Sequence, residues 1–219
     1  MKKGERNKKA PVPFTTSTLQ QEASKVLNFS TQKTMRVAQQ LYEGVDVKGS
    51  GTVGMITYLR TDSTRISDEA DAAARAYIAG NYGEEYVSSS VQEKKTGKKI
   101  QDAHEAIRPT DITRTPFMMK ESLTRDQFRL YQLIWKRFAA SRMANAQYVT
   151  TSVKIDAAGY RFHVSASKRK FDGFMAVYVQ EEEEKGEGNL LVKEISEDTQ
   201  LNFQAFDEKQ HFTQPPAHY

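Results

Sequence analysis

The 219-residue chain has no cysteine. This excludes a disulfide framework, a thiolate nucleophile and a thiolate metal site, and it fits a reducing compartment, so a cytoplasmic setting is expected. Long apolar runs are also missing: nothing approaches the roughly eighteen residues of a membrane span. The lysine-bearing start, MKKGERNKKAPVPF, has no apolar stretch behind it. Neither a membrane anchor nor a secretory signal is therefore expected. No internal repeat is visible.

Charge is present but unevenly spread. Residues 1–170 hold 29 Lys/Arg against 17 Asp/Glu, net +12, whereas 171–219 hold 3 against 11, net −8. A basic body suits a polyanion-binding surface, since each phosphate neutralised by Lys or Arg releases condensed counterions. Charge alone fits a merely soluble basic protein equally well.

Local patterns divide the chain by class. Ser17 with Gln20 reads as a capping box, and Leu19, Ala23, Val26 and Leu27 recur at helical spacing, predicting a helix over 18–28. Ser30 can cap a second helix carrying Met35, Ala38 and Leu41 and ended by Gly44, so the pair is helix-turn-helix-like. GVDVKGSG (44–51) reads as a glycine-punctuated loop and Val53 to Leu59 as a short strand. Ser67 is placed to cap a third helix with a stripe of Ala70, Ala73, Ala74, Tyr77 and Ile78, stopped by Gly80. KKTGKK (94–99) reads as a solvated loop. Thr124 with Gln127 opens a long helix with Phe128, Tyr131, Trp135 and Phe138 on one face. From Tyr148 the period becomes two, predicting a hairpin around the AAG turn, followed by extended segments at 174–179, LLVK and LNFQAF. The fold class expected is α+β, with a change from helices to antiparallel strands near residue 147.

Two stretches carry candidate chemistry. In GMITYLRTDSTR (54–65), strand alternation would put Ile56, Tyr58 and Arg60 on one face. A phenol with a pKa near 10 is a poor nucleophile unless charge developing on its target is stabilised. Arginine stays cationic, and its planar fork fits a phosphate during in-line displacement. In DAHEAIRPT (102–110), a helical turn begun by Asp102 would place His104 and Arg108 together at i and i+4. A zinc site would need a second histidine where Arg108 stands, so no metal is expected. A cationic pair facing a phosphodiester is chemically sensible, although a structural hydrogen bond is the commoner fate of such a pair.

PFTTSTLQQEAS (13–24), GMITYLRTDSTRIS (54–67), DAHEAIRPT (102–110), FDGF (171–174) and HFTQPPAHY (211–219) occur in that order, and together the chain resembles bacterial topoisomerase I, a type IA DNA topoisomerase. The resemblance implies that Tyr58 is the nucleophile that cuts one DNA strand through a transient 5′-phosphotyrosyl bond, with Arg60 as phosphate clamp. His104 and Arg108 fall on motif positions that lie against the bound single strand in that family. It further implies a lead-in segment from the arch domain at 1–12, an α-rich catalytic-tyrosine domain at 13–147, and an antiparallel β part of the arch domain at 148–219. The family's TOPRIM domain, with its Asp-x-Asp-x-Glu cluster for magnesium, has no counterpart here; EEEE at 181–184 lacks that alternation. The resemblance thus implies a fragment that holds no cofactor itself, depends on Mg2+ through the missing domain, and does not relax DNA alone. Its implied partners are single-stranded DNA and the rest of the same polypeptide, with a monomer expected. The alternative is a non-catalytic module that binds single strands by cationic grooves and aromatic stacking, for which Tyr58 needs no special role.

Overall fold

The structure is a computed structural model that describes residues 2–89, 104–179, 200, 202, 204–205 and 208–213. Its elements are β1 (Lys2–Lys8), α1 (Thr16–Leu27), α2 (Thr31–Glu43), β2 (Val45–Val47), β3 (Gly51–Val53), α3 (Asp68–Tyr82), α4 (Pro116–Met119), α5 (Arg125–Ser141), β4 (Ala146–Ala157) and β5 (Tyr160–Phe171), with 3-10 turns at Glu84–Tyr86 and Gly173–Ala176. The fold is α+β, with helices before residue 142 and the long strands after it.

Helix ends are set by local chemistry. The Ser30 and Ser67 hydroxyls accept from the Lys33 and Ala70 amides, and Thr124 forms its reciprocal box with Gln127. At α1 the box is Thr15 with Thr18, not Ser17 with Gln20, so the helix starts two residues earlier than its spacing suggested. Helix α3 runs through Gly80 and stops at Gly83, whose φ of 115° lies in a region that glycine favours. Ala73 is exposed, so the α3 stripe is narrower than expected.

Helices α1 and α2 pack on α5, whose Tyr131, Trp135 and Phe138 are buried as their shared face requires, with Phe128 partly so. Asp71 ties α3 to the end of α5: Arg142 is 5% exposed and places Nη1 2.8 Å from Asp71, which also accepts from Arg75. Burial pushes the Asp71 carboxyl up, but the hydrogen bonds from Arg142 and Arg75 outweigh it and hold the pKa below the usual carboxylate value.

Strands β1, β4 and β5 form an antiparallel sheet in the order β1-β4-β5, pairing Lys2 with Ser152 and Lys8 with Ala146. The β4–β5 hairpin turns at Ala158 and Gly159, both with positive φ, the geometry a two-residue hairpin needs. FDGF secures its base. Gly173 has φ 51°, a Cβ there would collide with the Ala144 carbonyl, and the Phe174 amide donates to that carbonyl at 2.9 Å.

Several sequence expectations are corrected. GVDVKGSG is not a loop but most of the β2–β3 hairpin. The strand expected at 53–59 ends at Val53; residues 54–60 run on irregularly because their hydrogen-bond partners come from α1, α2 and the 104–110 segment rather than from a strand. No helical turn forms over 104–108, where Ile107 and Pro109 make isolated bridges to Phe14 and Ile56 instead. Segment 174–179 begins as a 3-10 turn rather than a strand. KKTGKK, LLVK and half of LNFQAF lie outside the described residues, as does Asp102.

Replacing Asp71 by Ala strands the buried Arg142 charge and is expected to cost about 2 to 3 kcal/mol in urea unfolding. Because the folded pKa of Asp71 is lowered, its contribution is complete above the unfolded value of about 3.9 and fades as pH falls through the folded one. Unfolding midpoints measured from pH 6 downward are expected to fall more steeply below about pH 4 in the native protein than in the variant.

Candidate active site

Three irregular segments, 12–16, 54–66 and 104–110, meet beside the ends of α1 and α2. Each contributes anchors with 1% exposure or less: Phe14; Met55, Ile56 and Leu59; and Ile107. Such burial is worth about 1.5 to 3 kcal/mol per side chain. Arg137 adds a lid over Phe14, its guanidinium 4.8 Å from the ring centre while Nε donates to the Val12 carbonyl.

Backbone hydrogen bonds interlock the segments. The Met55 amide donates to Leu41 O at the end of α2, and Thr110 donates to Met55 O through its amide and to Gly54 O through its hydroxyl. A Cβ at Gly54 would stand 3.0 Å from the Tyr42 carbonyl oxygen, a tight approach that glycine avoids. The Thr57 amide donates to Arg108 O, and the Thr57 hydroxyl donates to Ala106 O at 2.7 Å while accepting from the Arg108 amide at 3.0 Å. Ile107 N donates to Phe14 O and Ala106 N to Arg65 O.

These bonds leave Tyr58 at the surface. It is 41% exposed, flanked by buried Ile56 and Leu59, and its hydroxyl makes no hydrogen bond among the described residues. Tyr131 shows what a structural tyrosine looks like here: fully buried, donating to Arg114 O at 2.6 Å, with burial and the Asp111 charge driving its pKa upward. Tyr178 is similar: burial and its hydrogen bond to Glu22 push it up to about 12.

From 58 to 64 exposure alternates: Tyr58, Arg60, Asp62 and Thr64 are exposed, while Leu59, Thr61 and Ser63 are buried. Tyr58 and Arg60 are therefore both exposed two positions apart, in backbone that bends at Thr57, Leu59 and Arg60 rather than forming a strand. Ile56, expected on that side, is buried. Arg60 makes no ion pair among the described residues.

His104 is exposed with its ring centre 5.7 Å from that of Tyr58, at 31° between planes. Arg108 is placed differently. Its side chain is 12% exposed, Nη2 lies 2.6 Å from a Glu105 carboxylate oxygen, Nε and Nη1 donate to Glu105 and Pro109 O, and Nη2 reaches Ser67 Oγ at 3.5 Å. His104 and Arg108 thus do not present a joint cationic face, and Arg108 would have to leave Glu105 to reach a phosphate. Sequence reasoning missed Tyr42, whose ring stands edge-on to Tyr58 at 5.5 Å. It sits just outside the apolar stripe of α2, and an exposed aromatic there was the available signal. Among the described residues no three His, Asp or Glu side chains gather as a metal site, and no helix is long and apolar enough to cross a membrane.

The DNA topoisomerase family matches residues 1–219 in full. The chain belongs to the bacterial type IA DNA topoisomerase family. Among solved structures, full-length topoisomerase I from Thermotoga maritima is 46% identical with a TM-score of 0.72, the match covering 82% of this chain. It covers 29% of that protein, so this topoisomerase chain spans under a third of its relative's length.

Thr57→Val removes the hydroxyl that staples 104–108 beneath Tyr58 and leaves the Ala106 carbonyl unpaired. It is expected to lower stability by about 1 to 3 kcal/mol. It should also shift the His104 imidazole proton resonances, which lie within reach of the Tyr58 ring current. Urea unfolding and proton NMR check the two effects.

Proposed function

We propose that this chain supplies the strand-cutting tyrosine of a topoisomerase that breaks and rejoins one DNA strand to relax negative supercoils. The observation that carries this reading is the exposed Tyr58 phenol, carried on backbone anchored by buried Ile56 and Leu59 yet making no hydrogen bond among the described residues. Tyr58 Oη attacks a backbone phosphorus in line. The new bond joins Oη to phosphorus at the 5′ end, the bond from phosphorus to the 3′ oxygen breaks, and that oxygen leaves as a hydroxyl with one proton while the phenol loses one. One phosphodiester replaces another, so the reverse reaction needs no energy source.

In this reading Arg60 clamps the non-bridging oxygens and stabilises charge in the transition state. His104 lies against the strand beside the reacting phenol. Arg108 holds the backbone that carries His104 through its pair with Glu105, and meets the strand only if that pair opens. Magnesium would be held by a TOPRIM domain outside this chain. The chain alone is inactive in relaxation, its partners being single-stranded DNA and the remainder of the enzyme, in a monomeric cytoplasmic protein.

The test combines this chain with a TOPRIM domain, magnesium and an end-labelled single strand. A covalent adduct mapped to Tyr58 is expected, and Tyr58→Phe should abolish it without changing the unfolding midpoint. Retention of cleavage by Tyr58→Phe would favour a stacking module in which Tyr42, Tyr58 and His104 only bind bases. Relaxation of supercoiled plasmid by the chain on its own would refute its dependence on other domains.

A further inference from the structure

PFTTSTLQQEAS contains two successive threonines, and the structure gives them different tasks. Thr15 caps α1: its hydroxyl accepts from the Thr18 amide, and Thr18 Oγ1 accepts from the Thr15 amide. The helix therefore does not need the Thr16 hydroxyl for its start. Thr16 Oγ1 turns toward the tyrosine loop, where it accepts from the Thr61 amide at 2.8 Å and donates to Leu59 O at 2.7 Å, with Thr61 O at 3.0 Å sharing that proton. The Thr16 amide, one of the four donors every helix start leaves over, donates to Thr61 O at 2.9 Å.

We propose that Thr16 is a positioning residue for Arg60, acting through the backbone on either side of it. This inference rests on the reading of Tyr58 and Arg60 as the reacting pair. The carbonyl before Arg60 and the amide after it are both held by one hydroxyl, while Leu59 and Thr61 are buried. The Arg60 side chain is left exposed. A long flexible arginine aims well only if its root is fixed; the head then loses less freedom on meeting a phosphate. The clamp fixes that root relative to α1. It also accounts for the alternation of exposed and buried side chains over 58–64, which pairs with no strand among the described residues.

The test uses the full-length enzyme carrying this sequence, with Thr16→Val, Thr16→Ser, Arg60→Ala and the Val/Ala double variant. Adduct formation at saturating labelled strand is expected to slow by about tenfold to a hundredfold in Thr16→Val. Thr16→Ser, which keeps the hydroxyl, should restore it. Against an Arg60→Ala background, Thr16→Val should add less than about twofold, because both act on one guanidinium. Losses that multiply, or an unimpaired Thr16→Val, would overturn the proposal. Independently of activity, amide exchange at Thr61 should be slow in the unaltered protein and in Thr16→Ser and fast in Thr16→Val. Exchange at Thr61 as fast as at exposed loop amides in the unaltered protein would remove the clamp. An adduct absent from Tyr58 in the unaltered enzyme marks failure of the functional reading itself, whatever Thr61 shows.

Discussion

The structure depends on hydrogen bonds that join chain segments about 40 to 50 residues apart without making a sheet. Thr16 to Leu59 and Thr61, and Thr57 to Ala106 and Arg108, are the ties that let irregular backbone pass through the interior with its polar groups satisfied. An unpaired buried amide or carbonyl costs about as much as a lost hydrogen bond, so these side chains are what make an irregular path tolerable. Small hydroxyl residues suit the task because each both donates and accepts.

Packing and polar ties act on the same residues. Ile56 and Leu59 are driven inward by the hydrophobic effect, and Thr57 and Thr61 between and beside them close the backbone bonds. Tyr58 is thrown outward as the remaining direction. Its exposure follows from four neighbours rather than from any preference of its own. Tyr42 and His104 then limit the ring's freedom from two sides.

How much of this was legible in the sequence follows from the range of each interaction. Caps at Ser30, Ser67 and Thr124, the stripe of α5 and the β4–β5 hairpin are decided within a few residues and are legible in the sequence. The start of α1 was misplaced because PFTTSTLQ offers four hydroxyls in a row and only geometry selects Thr15. The strand at 53–59 and the helical turn at 104–108 were misread for one reason: their partners lie far along the chain, and local propensity has no access to them. Tyr58 and Arg60 are still both exposed, because Thr57, Leu59 and Thr61 around them are tied down or buried. Arg108 shows the opposite limit. Its charge was legible, but its commitment to Glu105 was not, since i, i+3 neighbours meet only once the backbone shape is known.

The β4–β5 hairpin is fastened at its root, by β1 up to Ser152, by Tyr148 Oη against the Met175 sulfur and by the seat of Gly173. Beyond that it runs as a two-stranded ribbon ending in Tyr160 and Phe162, both well exposed. The part of β4 beyond Ser152, Val153 to Ala157, spans roughly 17 Å. A ribbon of that length, clamped at one end, acts as a lever: a tilt of about 5° at the root sweeps the tip by about 1.5 Å, so slight repacking around Ala144 is carried to the far end.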